Sequence, residues 1–189
     1  MTPAERVKHY AEASGYPQGL FVGDDGRIAG SWIMGQNYTV KSGLYGGYPH
    51  GYLRRIAALF PDKSSILHLF SGMVDQSVLP GKTVDINPAR NPDYLDDAQS
   101  LEQVPLETFD LILADPPYSH EDAEKYGVTL IKANKVMKAL ERVKPGTHIV
   151  WLDQRLPMYR KECFRTIGYI GMVKSTNHRF RCITIFERV

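Results

Sequence analysis

Two short apolar runs, 20–22 and 28–33, flank Asp24-Asp25-Gly26, residue types that favour a tight turn. The pattern predicts a β-hairpin over 19–32. A segment rich in Gly and Tyr follows at 42–51. Leu53, Ile56, Ala57 and Phe60 then share one helical face and predict a helix of about ten residues, stopped at Pro61. From Ser65 the period changes. Short apolar runs at 66–70, 83–86, 94–95 and 110–114 read as strands. Ala133, Val136, Met137 and Leu140 predict a helix over 129–143, ended by Lys144-Pro145-Gly146. Strands follow at 148–152, 169–174 and 181–186, the last two joined by a short polar loop that predicts a hairpin. Continuous apolar strands alternating with helical stretches argue for an α/β fold with a mostly parallel sheet, here with a terminal antiparallel hairpin and a small N-terminal β-hairpin extension.

Composition narrows the class. The chain has 189 residues, 43% hydrophobic and 23% charged, which suits one domain plus a small extension and excludes a collagen, a coiled coil or a disordered tail. The division expected is an extension over 1–41 and the main domain over 42–189. No apolar run has the ~18–20 residues of a membrane span, and the first ten residues hold no signal-peptide core. Cys163 and Cys182 are too few for a disulfide framework and lack metal-ligand spacing, so the expectation is a cytoplasmic protein with two buried structural thiols and no metal. The net charge of +2 hides an uneven distribution: residues 89–125 carry ten acidic and two basic groups, whereas 151–189 carry eight basic and three acidic ones. A positive tail can recruit a polyanion; a solvated mixed surface is the other reading.

The chemistry-bearing stretch is Leu111-Ile112-Leu113-Ala114-Asp115-Pro116-Pro117-Tyr118. An apolar strand ends in an acid, and two prolines hold the chain extended while contributing no N–H. Such a strand end faces the ligand edge of an open α/β sheet. A carboxylate, free carbonyls and a flat ring suit a planar group bearing an NH2. The loop Ser175-Thr176-Asn177-His178-Arg179-Phe180 faces the same edge if 169–174 runs parallel to 110–114. Asn177 and His178 then read polar base edges, Arg179 meets phosphate and Phe180 packs on a base; a tight hairpin with Phe180 in the core is the alternative. Trp151 reads as core, Asp153 as core or site. His68 and His148 read as hydrogen-bonded strand residues. Gly81-Lys82-Thr83 mimics a phosphate-binding loop, but Gln76 stands where its first glycine belongs.

Asp115-Pro116-Pro117-Tyr118 resembles the DPPY motif of the S-adenosylmethionine-dependent amino-methyltransferases, which act on N6 of adenine or N4 of cytosine. The resemblance implies a class I Rossmann-like methyltransferase fold. It implies that the acid and the Pro116 carbonyl hold the exocyclic amine while Tyr118 stacks on the flipped base. Other segments are similar to the family's in the expected order. Phe70-Ser71-Gly72 resembles the strand end that cradles the methionine part of the cofactor. Asp85-Ile86-Asn87 resembles the acid that binds the ribose, Asp97-Ala98 the turn beside the adenine, and the segment from Tyr45 to His50 the Gly-rich stretch that closes over the methionine end. One departure is plain: Gly72 and Asp85 are 13 positions apart, where about 20 separate the glycine loop from the acid in a dinucleotide fold. A shortened or missing first helix is therefore expected.

The resemblance implies methyl transfer from S-adenosyl-L-methionine to a nucleobase amine, with N6 of adenine in DNA expected first. An RNA base methyltransferase and a catalytically silent cofactor- or nucleic-acid-binding module are the alternatives. The chain has no room for a large recognition region, so a short recognition sequence, a specificity partner or a homodimer is expected, with no membrane involvement.

Overall fold

The computed structural model describes residues 1–35, 47–117, 130–175 and 180–189. Its elements in chain order are α1 (Pro3–Ala13), β1 (Leu20–Val22), β2 (Ile28–Met34), α2 (Tyr52–Leu59), β3 (Ile66–Leu69), β4 (Lys82–Asp85), β5 (Tyr94–Leu95), β6 (Leu111–Ala114), α3 (Ala133–Ala139), β7 (His148–Asp153), β8 (Phe164–Lys174) and β9 (Phe180–Arg188). Helix α1 has no counterpart in the apolar pattern. It is built by its first turn instead: Thr2 caps it, accepting from the Glu5 amide while the Glu5 carboxylate accepts from the Thr2 amide, and Pro3 opens it. It docks through a buried charge. Arg6 is 1% exposed, gives a bidentate pair to Asp62 at 2.6 and 2.9 Å, and lies over the Phe60 ring.

Among the described residues the strands form one sheet in the order β1-β2-β8-β9-β7-β6-β3-β4-β5. Strands β3 to β7 are parallel, and β9 runs antiparallel to both β7 and β8. Counting from the β5 edge, the parallel set lies in the order third, second, first, fourth, fifth. That is the doubly wound Rossmann order, extended here by the antiparallel pair. The N-terminal hairpin is in the same sheet, because β2 pairs in parallel with β8 along its whole length.

Each face has its own core. On one face α1 and α2 cover Ile28, Trp32, Leu113, Val150, Leu152, Ile170, Met172 and Ile183. On the other, α3 and the segment 98–109 cover Leu67, Leu69, Val84, Ile112, Ile149, Trp151, Phe164 and Phe186. The predicted helix over 129–143 is shorter than its apolar pattern. Its α-helical part is α3, without a side-chain cap at Lys132, and it tightens into a 3-10 turn at Leu140–Arg142. Strand β8 begins at Phe164, not 169, because a bulge between Thr166 and Gly168 breaks the alternation that marks a strand.

The connection from β3 to β4 has no helix among residues 70–81, as the short spacing implies. A histidine clips it in place. The Leu79 carbonyl can only accept, so His68 donates from Nε2 at 3.1 Å and its Nδ1 accepts from the Tyr48 hydroxyl at 3.3 Å. Burial holds the His68 pKa down at about 4, against the hydrogen bond to Leu79, so the ring stays neutral. A Cβ on Gly81 would stand 2.7 Å from the Ile66 carbonyl and 3.0 Å from the His68 ring, so only glycine lets the loop lie this close.

Candidate functional site

The carboxyl ends of β3, β4, β5, β6, β7 and β8 share one edge, because these strands are all parallel. The chain leaves β3 for β4 and β5 on one side, then returns to place β6 on the other, so the order switches between β3 and β6. Their ends are level, with Leu69 paired to Ala114. A crevice at such a switch point is where open α/β sheets take ligands.

Of the residues singled out in the sequence, the edge gathers Phe70-Ser71-Gly72 after β3, Asp85-Ile86-Asn87 at β4, Asp97-Ala98 just beyond β5, Asp115-Pro116-Pro117 after β6 and Phe180 at the start of β9. His50 is exposed in the turn before α2. Tyr45, Tyr118, Asn177, His178 and Arg179 lie outside the described residues.

The β3 end is sharply bent. Phe70 has φ 57° and Gly72 φ 48°. A bulky side chain in the left-handed region carries real strain. Asp85 fixes the bend: its Oδ2 accepts from the Gly72 amide at 3.0 Å and its Oδ1 from the Asn87 amide at 2.8 Å. Each oxygen keeps a further lone pair, so the carboxylate can still accept from a ligand. Ile86, next in line, is 55% exposed. Asp97 organises the next turn, accepting from the Gln99 amide at 2.9 Å while its own carbonyl accepts from Leu101. Ala98 packs into the core beneath. A shallow cleft of about 420 Å³ borders Gly72 on the side where the crossover helix is missing, lined by Met73, Gln76, Thr83 and Arg90 to Asp93. Its lining includes none of Asp85, Asp97 and Asp115, so it is a neighbour of the crevice and not the crevice itself.

Asp115 lies on the α2 face of the sheet, following Leu113. Burial drives its pKa up to about 7; the Arg181 and Lys174 charges oppose that and the Asp153 charge adds to it. Asp153 ends β7, its own pKa raised by burial, and accepts from the Trp151 indole at 3.3 Å. Tyr48 and Tyr52 stand stacked at 5.1 Å nearby, their phenols held well above the usual range by burial first and, further down, by the Asp115 charge. The buried Tyr52 hydroxyl has no hydrogen-bond partner among the described residues. Arg181, Lys174 and Tyr52 were not legible as site residues in the sequence, whereas Tyr48 lies in the 45–50 stretch singled out there. Strand register brings Lys174 and Arg181 to this edge, and α2 brings Tyr52. What the arrangement can do is bind a planar amine: a carboxylate and proline carbonyls that only accept, beside aromatic rings, at the ligand edge.

Two expectations are corrected. Phe180 is neither in the loop nor in the core: it is the first residue of β9 and 64% exposed. Cys163 is buried as expected, but Cys182 is only partly buried. Trp151, His68 and His148 are buried strand residues, as the pattern implies. No group of His, Cys, Asp and Glu among the described residues could hold a metal. No described helix is long and apolar enough to cross a membrane.

No protein-family model and no curated protein matches the chain. Among solved structures, it is similar to the N-methyltransferase NodS from Bradyrhizobium japonicum WM9, at 14% identity and a TM-score of 0.49, over 74% of this chain and 93% of that one. It is also similar to the same enzyme in complex with S-adenosyl-L-homocysteine, at 12% identity and a TM-score of 0.49, over 74% of this chain and 85% of that one. The fold itself rests on the strand order: a Rossmann-like α/β sheet, doubly wound, with a terminal antiparallel hairpin.

Proposed function

We propose that this protein is an S-adenosylmethionine-dependent methyltransferase acting on the exocyclic amine of a nucleobase, N6 of adenine in DNA before other targets. The observation that carries the reading is the common edge: Phe70 to Gly72, Asp85 and Asp97 on one side of the switch point, Asp115-Pro116-Pro117 on the other. The first group fits an adenosyl cofactor. The Phe70–Gly72 bend brings backbone to the crevice, Asp85 retains lone pairs for vicinal hydroxyls, and exposed Ile86 offers an apolar surface to a ring. When bound, the cofactor supplies an electrophilic methyl group.

The chain's own residues would do the rest. The Asp115 carboxylate and the Pro116 carbonyl accept the two N–H bonds of the amine. That draws the nitrogen lone pair out of conjugation with the ring and toward the methyl. Accepting the methyl that the cofactor would supply leaves the nitrogen with one proton to shed, and Asp115 would be the acceptor in place for it. Its pKa of about 7 suits that role. Preorganised acceptors supply most of such an effect. In a duplex the base must first be flipped out.

The test is transfer of labelled methyl from S-adenosylmethionine to DNA and to RNA by wild type and Asp115→Ala. Incorporation into DNA lost in the variant by ~100-fold or more, the scale of a removed transition-state hydrogen-bonding group, supports the reading. Incorporation into RNA alone reassigns the polymer. Full turnover by the variant overturns the mechanism.

A further inference from the structure

The hydroxyl of Tyr48 has a fixed direction. Tyr48 lies just before α2, stacked on the Tyr52 ring at 5.1 Å and tilted against the His68 ring at 5.8 Å. Its hydrogen is set from the far side of that histidine. The Leu79 carbonyl only accepts, so the proton of the neutral His68 ring sits on Nε2, 3.1 Å away. Nδ1 is then a bare lone pair, and the Tyr48 hydroxyl 3.3 Å from it must donate. Burial keeps the ring neutral above a pH of about 4. Burial and the Asp115 charge keep the phenol from ionising, so the order holds across the ordinary pH range. What Tyr48 has left to offer is an oxygen lone pair, and that only accepts.

This oxygen stands over the strand at the switch point. His68 is paired with Leu113 of β6 on one side and with Thr83 of β4 on the other, and Asp115 follows Leu113 on the same face. A Cβ on Gly47, the preceding residue, would lie 3.4 Å from the Met73 carbonyl, in contact with the β3–β4 connection. The amides of the β3 bend are already engaged: Ser71 donates to the Val84 carbonyl at 3.2 Å and Gly72 to Asp85 at 3.0 Å. Tyr48, Asp85 and Asp115 thus bring acceptors to this stretch, while the two bend amides have nothing left for an anion.

A methyl donor held at its ribose by Asp85 has to bring its sulfur to the amine at Asp115. Its methionine tail starts at that sulfur and so starts above β3. The tail ends in a carboxylate, which needs donors, and an ammonium, which needs acceptors. We propose that Tyr48 receives the ammonium of the methyl donor, with His68 as the positioning residue that keeps the Tyr48 oxygen turned to accept. The inference rests on the methyltransferase reading and adds to it a residue that selects the cofactor by its amine. A hydroxyl that is already donating is also the better acceptor, because hydrogen bonds in a chain polarise one another.

The test is titration calorimetry with S-adenosyl-L-homocysteine, which binds without turnover, and with its deaminated analogue, which keeps the adenosine and the carboxylate. Wild type is compared with Tyr48→Phe and His68→Leu, each checked by thermal melting. Wild type should bind the amine-bearing ligand at least about ten-fold tighter than the analogue, the scale of a hydrogen bond to a charged group. Tyr48→Phe keeps the ring stack and should abolish that preference, weakening the amine-bearing ligand alone. His68→Leu frees the hydroxyl to turn and should reduce the preference by a smaller factor. Should Tyr48→Phe melt early, NMR of wild type labelled with 13C at Cζ of Tyr48 decides: the resonance should move with the amine-bearing ligand and stay with the analogue. A preference that survives Tyr48→Phe, an equal loss for both ligands, or a wild type that does not distinguish them would overturn the assignment while the cofactor reading stands. Full preference in His68→Leu would overturn the positioning role. If neither ligand binds wild type, the cofactor reading falls and the role of Tyr48 with it.

Discussion

Asp115→Asn separates the cost of the buried acid from its use. Burial lifts its pKa from 3.8 to about 7. The sign follows from proton linkage. Between those two values the folded protein binds a proton that the unfolded chain has released, so stability falls as pH rises through that window and levels off above about 7. A shift of about three units at 1.36 kcal/mol each is ~4 kcal/mol of lost stability at pH 8, and only ~1.5 at pH 5. Asn keeps the shape and a carbonyl but cannot ionise. The variant should therefore be more stable than wild type at pH 8, and its advantage should shrink by ~2–3 kcal/mol at pH 5. Urea denaturation of both proteins at the two pH values measures this directly, because differences in midpoint at constant m report stability alone. Activity should run the other way, wild-type turnover rising as pH passes about 7 and the stronger, ionised acceptor appears. An Asn-minus-Asp stability difference that is the same at both pH values would refute the claim that the carboxylate is ionised against its burial.

Other outcomes follow from the same geometry. Asp85→Ala should weaken S-adenosylmethionine binding by ~1.5–3 kcal/mol in titration calorimetry, and unchanged affinity would mean that the β4 acid is only a clamp on Gly72. Gly81→Ala should lower stability by ~1–3 kcal/mol, since the new methyl meets the Ile66 carbonyl at 2.7 Å and backbone there cannot move aside cheaply; thermal melting checks it. Asp62→Ala should cost ~3 kcal/mol in chemical denaturation, because it strands the guanidinium of Arg6, 1% exposed, beneath α1.

Strands β3, β6 and β7 were legible because each is buried on both faces and so reads as a nearly unbroken apolar run bounded by turn residues. The missing crossover helix was legible too, since nine residues with Leu79-Pro80-Gly81 at their end cannot form one. The acid-and-proline strand end, with its acceptors and no N–H, is a local property of Asp115, Pro116 and Pro117. Helix α1 escaped because its stability comes from a capping box and a distant ion pair to Asp62, neither of which leaves an apolar period. The pairing of β2 with β8 escaped because it joins residues some 140 positions apart, and hydrogen bonds between strands carry no sequence mark. The same holds at the site. That an acid follows β6 is written in the chain; that it is pushed to about 7 is not, for that depends on burial and on how near Arg181, Asp153 and Lys174 are brought by strands distant in sequence. The exposure of Phe21, Ile33, Tyr169 and Phe180 is of that kind as well. The chain determines which side of each strand they occupy, but only the tertiary fold decides that no described helix packs over them, because cover is a matter of where other elements pack.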